Sequence, residues 1–199
     1  PTLLAKESLA EGTMLFRFGL PERAIVELRR GRQLALDNPI AHSFVIIGND
    51  FMPYTVARRL KDLRQFARCC ARDVKPLKSW ANDRDPERVL KIGYLSGDFY
   101  RHSAFNTWFA LLRSHDRAHF HVTGYYTQPY NDDYTVSARA TCDEWRAIEG
   151  LEDDALVQLI RADQIDILVD LACHTAGNRL GALALHPAPL HTTGFGFLE

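Results

Sequence analysis

A buried strand that runs into a short polar loop is the feature that most constrains this chain. Residues 89–95 are apolar apart from one lysine and one glycine, which is typical of a strand covered on both faces of a parallel sheet. Ser96, Gly97 and Asp98 follow, and an apolar helical pattern begins at Ser103. In open α/β sheets this order places the loop at the carboxyl edge of the sheet, where ligands bind. We therefore expect a functional site in residues 96–102.

The charge balance, the apolar runs and the cysteines limit which partners and which cell compartment we expect for this protein. Lys and Arg number 24 against 25 Asp and Glu in 199 residues, a net charge of −1 that gives no general case for binding nucleic acid or an anionic membrane. No membrane-length apolar run and no signal peptide is visible, so we expect a cytoplasmic protein. The four cysteines lack zinc-ligand spacing, so we expect free thiols and no metal site. Because Pro1 is not a methionine, we expect a piece of a longer protein.

The first part of the chain has the pattern of paired helices. Residues 3–36 predict an antiparallel pair that turns at 19–21 and stops at 37–39. The pattern resembles a tetratricopeptide repeat, but its second half is too long, which indicates a terminal or degenerate unit. The residues that carry the resemblance are Gly12, Leu15, Gly19, Ala24, Ile25 and a closing Leu-Asp-x-Pro.

A helical connector is predicted to follow the pair. After an apolar run at 41–49, Thr55 is a good N-cap for a basic helix over 56–72, and a polar linker follows at 82–86. The charges of the basic helix lie opposite an apolar stripe, so an ordinary solvated face is favoured over a phosphate-binding surface. The stripe contains Val56, Leu60, Leu63, Phe66, Ala67 and Cys70. We place a helical region at 1–81 and a second domain at 87–199.

The second domain alternates strands with helices. Strands are predicted at 120–127, at 145–148 as a short edge strand, at 165–171 and at 190–197, with helices over 131–141, over 153–162 and ending near 185. Strands that alternate with helices predict a parallel sheet. The fold class is therefore α/β, a parallel Rossmann-like sheet lobe preceded by an all-α, tetratricopeptide-like helical segment.

Two polar loops are expected to leave the same edge of this sheet. The first carries Asp98 and His102, and the second follows the strand that ends at Leu171. Each also has a purely structural interpretation: His102 could cap the following helix, Asp98 could accept N–H groups of its own loop, and the second loop could be a turn. Asp166 and Asp170 within the strand are interpreted as structural. The candidate residues of the second loop are His174, Thr175, Gly177 and Asn178.

Two long motifs carry a family resemblance. Residues 92–102, Ile-Gly-Tyr-Leu-Ser-Gly-Asp-Phe-Tyr-Arg-His, resemble a signature of the protein O-linked N-acetylglucosamine transferase and SPINDLY family. Residues 166–180, with Pro-Ala-Pro at 187–189, resemble that family's second block. The resemblance implies tetratricopeptide repeats followed by two Rossmann-like lobes. It also implies metal-independent, inverting transfer of a sugar such as N-acetylglucosamine to Ser or Thr of proteins.

The resemblance also implies partners and residue roles. The partners are a protein or peptide acceptor and a nucleotide-sugar substrate, expected to be UDP-linked, with no cofactor. His102 is expected to be catalytic, either as a base or as a donor to the phosphates, and we leave both roles open. Substrate binding is expected of Asp98, His174, Thr175, Gly177 and Asn178.

Several departures from the family pattern accompany the resemblance. Cys173 stands where Gly is common, His186 replaces an Arg, and His191 replaces a Gln. The family's second lobe would follow Glu199, so we expect it in a longer parent chain and expect the 199 residues alone to be inactive. One alternative is a non-catalytic helical-repeat binding module with a degenerate α/β lobe. A small independent α/β enzyme lacks an evident nucleophile or metal set.

Overall fold

The computed structural model describes residues 2–53, 55–72 and 74–194. The chain packs as two compact units, Pro1–Val74 and Lys75–Glu199. The first unit is all helical, and the second contains a parallel sheet with its helices. The polar linker expected at 82–86 lies inside the second unit.

Four helices form the first unit, and local sequence signals explain where three of them begin. The side chains of Thr2, Asn38 and Thr55 accept N–H bonds from the first turns of their helices, which satisfies donors that a helix start leaves free. The remaining helix, which begins at Pro21, has this proline at its first position, where a missing backbone N–H costs nothing. The helices are α1 (Leu3–Arg17), α2 (Pro21–Leu34), α3 (Pro39–Asp50) and α4 (Val56–Ala71).

Helices α1 and α2 pack closely in opposite directions. A Cβ atom added at Gly12 would lie 2.6 Å from the side chain of Leu28, and one added at Gly31 would lie 2.6 Å from that of Leu9. Each glycine therefore lets a leucine of the facing helix approach its backbone. The antiparallel pair predicted for residues 3–36 is confirmed.

The apolar stripe predicted for α4 faces inward only in part, with Cys70 buried and Leu63 and Phe66 half-buried. Val56 and Leu60 are 75% and 44% exposed, whereas Asp62 is buried. Asp62 accepts hydrogen bonds from Arg32 at 2.7 Å and from Asn49 at 3.2 Å. A buried guanidinium on α2 requires an acceptor, and this requirement turns a polar side of α4 inward.

The second unit is built on five parallel strands in the order β3-β2-β1-β4-β5. Leu90 pairs with Phe120 and Ile92 with Ile167, so the three strands predicted to be neighbours are confirmed as parallel neighbours. The predicted edge strand is β3, and residues 195–197 of the last predicted strand lie outside the described residues. The strands are β1 (Leu90–Ser96), β2 (Phe120–Tyr126), β3 (Glu144–Ala147), β4 (Ile167–Asp170) and β5 (Leu190–Thr193).

Helices cover both faces of the sheet. Helices α5 (Phe105–Arg113) and α6 (Asp133–Ala140) contribute to a core that includes Ile92 and Tyr94 of β1. Helices α7 (Asp153–Ala162) and α8 (Leu180–Ala184) contribute to the opposite core with Leu95. The chain leaves β1 toward β2 and later returns to β4 on its other side, so the strand order reverses between β1 and β4. In this fold class ligands bind at the carboxyl ends of such strands.

A charged cluster fixes the opposite, amino-terminal end of β4. Both carboxylate oxygens of Asp166 accept bonds from Arg88 at 2.6 Å, and the side chain of Asn82 and the backbone N–H of Lys91 complete the set. Burial alone would raise the pKa of Asp166. The hydrogen bonds from Arg88, Lys91 and Asn82 and the charge of Arg88 outweigh burial and lower that pKa.

We expect Asp166→Ala to destabilise the protein by about 3 kcal/mol, because it removes one partner of a largely buried ion pair. Chemical denaturation would measure the loss against the exposed control Glu149→Ala. A folded-state pKa below 3.8 means that the Asp166 contribution is present above that pH and is lost as the pH falls through the folded pKa. A loss under 0.5 kcal/mol, or one independent of pH down to the acid transition, contradicts this account.

Candidate functional site

Three loops meet at the carboxyl edge of the sheet. The hydroxyl of Thr175, after β4, lies 3.3 Å from Oδ2 of Asp98, after β1. The hydroxyl of Thr127, directly after β2, donates to the carbonyl of Gly177 at 2.8 Å. The structure therefore brings together the two loops that were predicted to share an edge, and it adds a third.

Two glycines allow the loops to approach this closely. A Cβ atom on Gly97 would lie 2.6 Å from the carbonyl oxygen of Ala176, a contact that the backbone could not accommodate without shifting. Gly177 has φ of +79°, and a Cβ there would lie 2.5 Å from the side-chain nitrogen of Gln128. The predicted role of Gly177 is thus accompanied by a clear steric reason for glycine.

A buried aspartate shapes the loop after β4. Asp170 is fully buried and accepts the backbone N–H groups of Ala172 and Cys173 at 3.2 and 2.9 Å and the hydroxyl of Thr193 at 2.8 Å. Burial raises the pKa of Asp170, and these three hydrogen bonds oppose the rise. Cys173 has φ of +49°, a conformation that favours glycine. Asp170 is therefore structural, as interpreted.

The loop after β1 is anchored by an aromatic side chain. Phe99 is fully buried, and its ring contacts Trp108 edge-on at 4.9 Å between centroids and Trp145 at 5.2 Å. Aromatic pairs at such distances add to the stabilisation from buried area. Anchoring Phe99 fixes the positions of its neighbours Asp98 and Tyr100.

His102 lies at the start of α5 with part of its ring open to solvent. Its Nδ1 accepts the backbone N–H of Ala104 at 3.3 Å, and its side chain is 31% exposed. The same Nδ1 lies 3.8 Å from Oδ2 of Asp98. With Nδ1 assigned as the acceptor of this hydrogen bond, the neutral ring has its proton on Nε2. The bond goes to Ala104, which precedes the first residue of α5, so His102 closes the turn before the helix and does not cap the helix. Nε2 is left for ligand chemistry.

Asp98 sits beneath this ring in a buried position. Its backbone N–H donates to the hydroxyl of Ser96 at 2.9 Å. Burial raises the pKa of Asp98, and the charge of His102 and the hydrogen bond from Thr175 oppose that rise. A carboxyl with a raised pKa can hold a proton to a higher pH than an exposed one.

The remaining candidates of the second loop have more structural roles. The side-chain amide of Asn178 donates to the carbonyl of Thr175 at 2.9 Å, and its backbone N–H bonds to the same oxygen. Asn178 thus closes a turn. His174 is buried beside it.

The sequence prediction missed the loop after β2. Thr127 contacts the second loop, and Asp132 accepts the backbone N–H of Arg101 at 2.8 Å while also capping α6. The sequence did offer one signal for this loop, its position after a predicted strand, because neighbouring parallel strands end at the same edge of the sheet. Residues 127–132 therefore belong with the loops already identified.

Two further observations concern metals and membranes. Across residues 2–53, 55–72 and 74–194, no three His, Cys, Asp or Glu side chains are grouped so that they could hold a metal ion. Among the helices in that part of the chain, none combines the length and apolar character needed to span a membrane.

Comparison with known proteins identifies the family. The pattern of glycosyl transferase family 41 matches residues 52–198, well over half of the chain. The chain belongs to this family. The match contains β1 to β5 and therefore all three loops of the candidate site.

Curated family 41 relatives are plant proteins much longer than this chain. SPINDLY of Arabidopsis thaliana, named a probable UDP-N-acetylglucosamine–peptide N-acetylglucosaminyltransferase, is 38% identical over 123 residues, 60% of this chain and 14% of that protein. SPINDLY of Petunia hybrida is 38% identical over 123 residues, 60% of this chain and 13% of its own length. The SEC protein of Arabidopsis thaliana is 28% identical over 109 residues, 54% of this chain and 11% of that protein.

A solved structure supports the same assignment. The O-GlcNAc transferase of Thermobaculum terrenum, solved as a lysine-to-methionine mutant, superposes with a TM-score of 0.88 at 34% sequence identity. The superposition covers 96% of this chain and 37% of that one. The fold class predicted from the sequence, a helical segment followed by a parallel α/β lobe, is confirmed.

We expect Asp98→Asn to leave stability unchanged or raise it at pH 7. The folded-state pKa of Asp98 lies above its unfolded value of 3.8, so the folded state keeps the proton longer and loses stability as the pH rises through this window. The amide removes that penalty. Melting temperatures of Asp98→Asn and wild type, measured from pH 4 to 7, should diverge with rising pH, while the exposed control Asp154→Asn should not diverge. A mutant that is less stable at pH 7 than at pH 4, relative to wild type, contradicts the raised pKa.

Proposed function

We propose that this chain supplies part of a glycosyltransferase. The enzyme transfers a sugar from a nucleotide diphosphate to Ser or Thr hydroxyls of proteins by a metal-independent, inverting mechanism. One observation carries the proposal: the two signature loops meet at the point where the strand order reverses. Asp98 and His102 of the first loop lie at this meeting point, and Asp98 contacts Thr175 of the second. Family 41 membership and the printed names of the relatives support it.

The donor and the acceptor are proposed from those relatives. The donor is a UDP-linked sugar such as N-acetylglucosamine, and the acceptor is a protein or peptide. The chain spans 11–14% of the length of these curated relatives. We propose that a second lobe takes part in the complete activity. We place the enzyme in the cytoplasm and expect it to need no bound cofactor.

The reaction makes two demands on the protein. The acceptor oxygen attacks the anomeric carbon while the bond from that carbon to the diphosphate breaks, so negative charge builds on the leaving phosphate. The acceptor hydroxyl also loses its proton, to a base or to water. Donors that are already in place for the leaving phosphate lower the barrier, because the charge they meet grows in the transition state.

His102 is suited to the phosphate rather than to the proton. With Nδ1 accepting from Ala104, the neutral ring presents Nε2–H as a hydrogen-bond donor. A base would need a lone pair on Nε2 and hence a proton on Nδ1, which would face the N–H of Ala104. The first turn of α5 lies nearby, and the positive end of a helix dipole favours an anion. We therefore assign His102 as a donor to the leaving diphosphate.

The test compares two substitutions of His102 in the full-length protein. An asparagine oxygen can accept from the N–H of Ala104 but does not reach the position of Nε2. We expect His102→Asn to keep the melting temperature and to lower the transfer rate on the order of a hundredfold. His102→Ala should show a similar rate loss and also lose about 1 kcal/mol of stability, because the hydrogen bond to the N–H of Ala104 is gone.

The matched control is His119→Asn, on the exposed turn before β2, which should change neither quantity. Wild-type rate in His102→Asn would return His102 to a purely structural role. Absence of transfer by the wild-type protein, with UDP-N-acetylglucosamine and a panel of Ser and Thr peptides, would contradict the proposed function itself.

A further inference from the structure

Two tyrosines from different loops form an aromatic wall beside His102. The ring centroid of Tyr100 lies 4.9 Å from that of Tyr130 and 5.7 Å from the imidazole of His102. Tyr130 is 54% exposed, and Tyr100 is half-buried. We refer to Tyr100 and Tyr130 as the tyrosine wall.

Contacts of Phe99 and Asp132 hold the tyrosine wall in place. Buried Phe99 precedes Tyr100 and fixes the first loop. Asp132 accepts the backbone N–H of Arg101 at 2.8 Å and so joins the first loop to the loop that carries Tyr130. The wall is therefore a preorganised surface, which binds a ligand at a lower entropy cost than two mobile side chains would.

The chemistry of the wall differs from that of the phosphate position. A diphosphate favours N–H donors and cations, which His102 and the start of α5 provide. The guanidinium of Arg101, which follows Tyr100 in sequence, lies over the ring of Tyr134 at 5.3 Å. Two uncharged aromatic faces instead suit apolar or aromatic carbon atoms, which a polypeptide side chain offers.

We propose that the tyrosine wall binds the acceptor polypeptide and selects an apolar or aromatic residue near the acceptor Ser or Thr. This inference rests on the proposed function. An extended chain advances roughly 3.3–3.6 Å per residue, so the 5.7 Å between the His102 and Tyr100 rings puts the wall within a few residues of the reacting centre.

Kinetics of the full-length protein test the wall. The probes are nonapeptides of Gly and Ala with one central Ser and with Phe, Ala or Glu two places before or after it, and UDP-N-acetylglucosamine is the donor. For the preferred Phe peptide we expect Tyr100→Ala and Tyr130→Ala to raise the peptide KM about tenfold and to leave the donor KM within about twofold. Tyr100→Phe, which keeps the ring, should stay within about twofold of wild type. The control is Leu111→Ala, an exposed apolar position on α5.

Binding without turnover separates this inference from the proposed function. Fluorescence anisotropy of the fluorescein-labelled Phe peptide should report binding to wild type and about tenfold weaker binding to Tyr130→Ala, at unchanged melting temperature. That result supports the wall even if no transfer is found. A raised donor KM, an unchanged peptide KM in both alanine variants, equal use of the Phe and Glu peptides, or no peptide binding by wild type would overturn the inference.

Discussion

The contact between the loops after β1 and β4 is the constraint on which the candidate site depends. Thr175 lies against Asp98, and Gly97 leaves room for the carbonyl of Ala176. The two loops follow neighbouring parallel strands, so the backbone of the sheet alone places them at one edge. The hydrogen bonds then fix how closely they approach, and α5, whose dipole favours an anion at its start, begins just after His102.

Carboxyl groups at the two ends of β4 are used in opposite ways. At the amino end Asp166 is paired with Arg88, which lowers its pKa despite burial and ties the preceding segment to the sheet. At the carboxyl end burial raises the pKa of Asp170 and of nearby Asp98, and no guanidinium is among the groups that oppose the rise. Asp170 is structural, as Asp166 is, and of these three carboxyl groups only Asp98 lies beside His102.

The hydrophobic pattern predicts most of the second unit because the central strands β1 and β2 are buried on both faces and are followed by polar loop residues. The same pattern held only in part for α4, where Asp62 turns inward to the guanidinium of Arg32 and Val56 and Leu60 are exposed. A helical wheel contains no information on the partner helix, so this preference could not be read from the segment alone.

The site was predictable as a pair of loops but not in its details. Asp98 and His102 follow a predicted strand, so their position along the chain is enough to identify them as candidates. The approach of Tyr130 to Tyr100 joins loops that are distant in sequence. The role of Nδ1 in His102 depends on where the backbone N–H of Ala104 lies, which is a property of the folded turn.

The tautomer of His102 tests the central claim most directly. Nitrogen-15 chemical shifts of the imidazole, measured on protein labelled at histidine, would be assigned by the signals that disappear in His102→Asn. The account predicts a neutral ring with its proton on Nε2, because Nδ1 accepts from Ala104. A neutral ring with its proton on Nδ1 would contradict the account, since Nε2 would then hold a lone pair and act as a base rather than as a donor to the diphosphate.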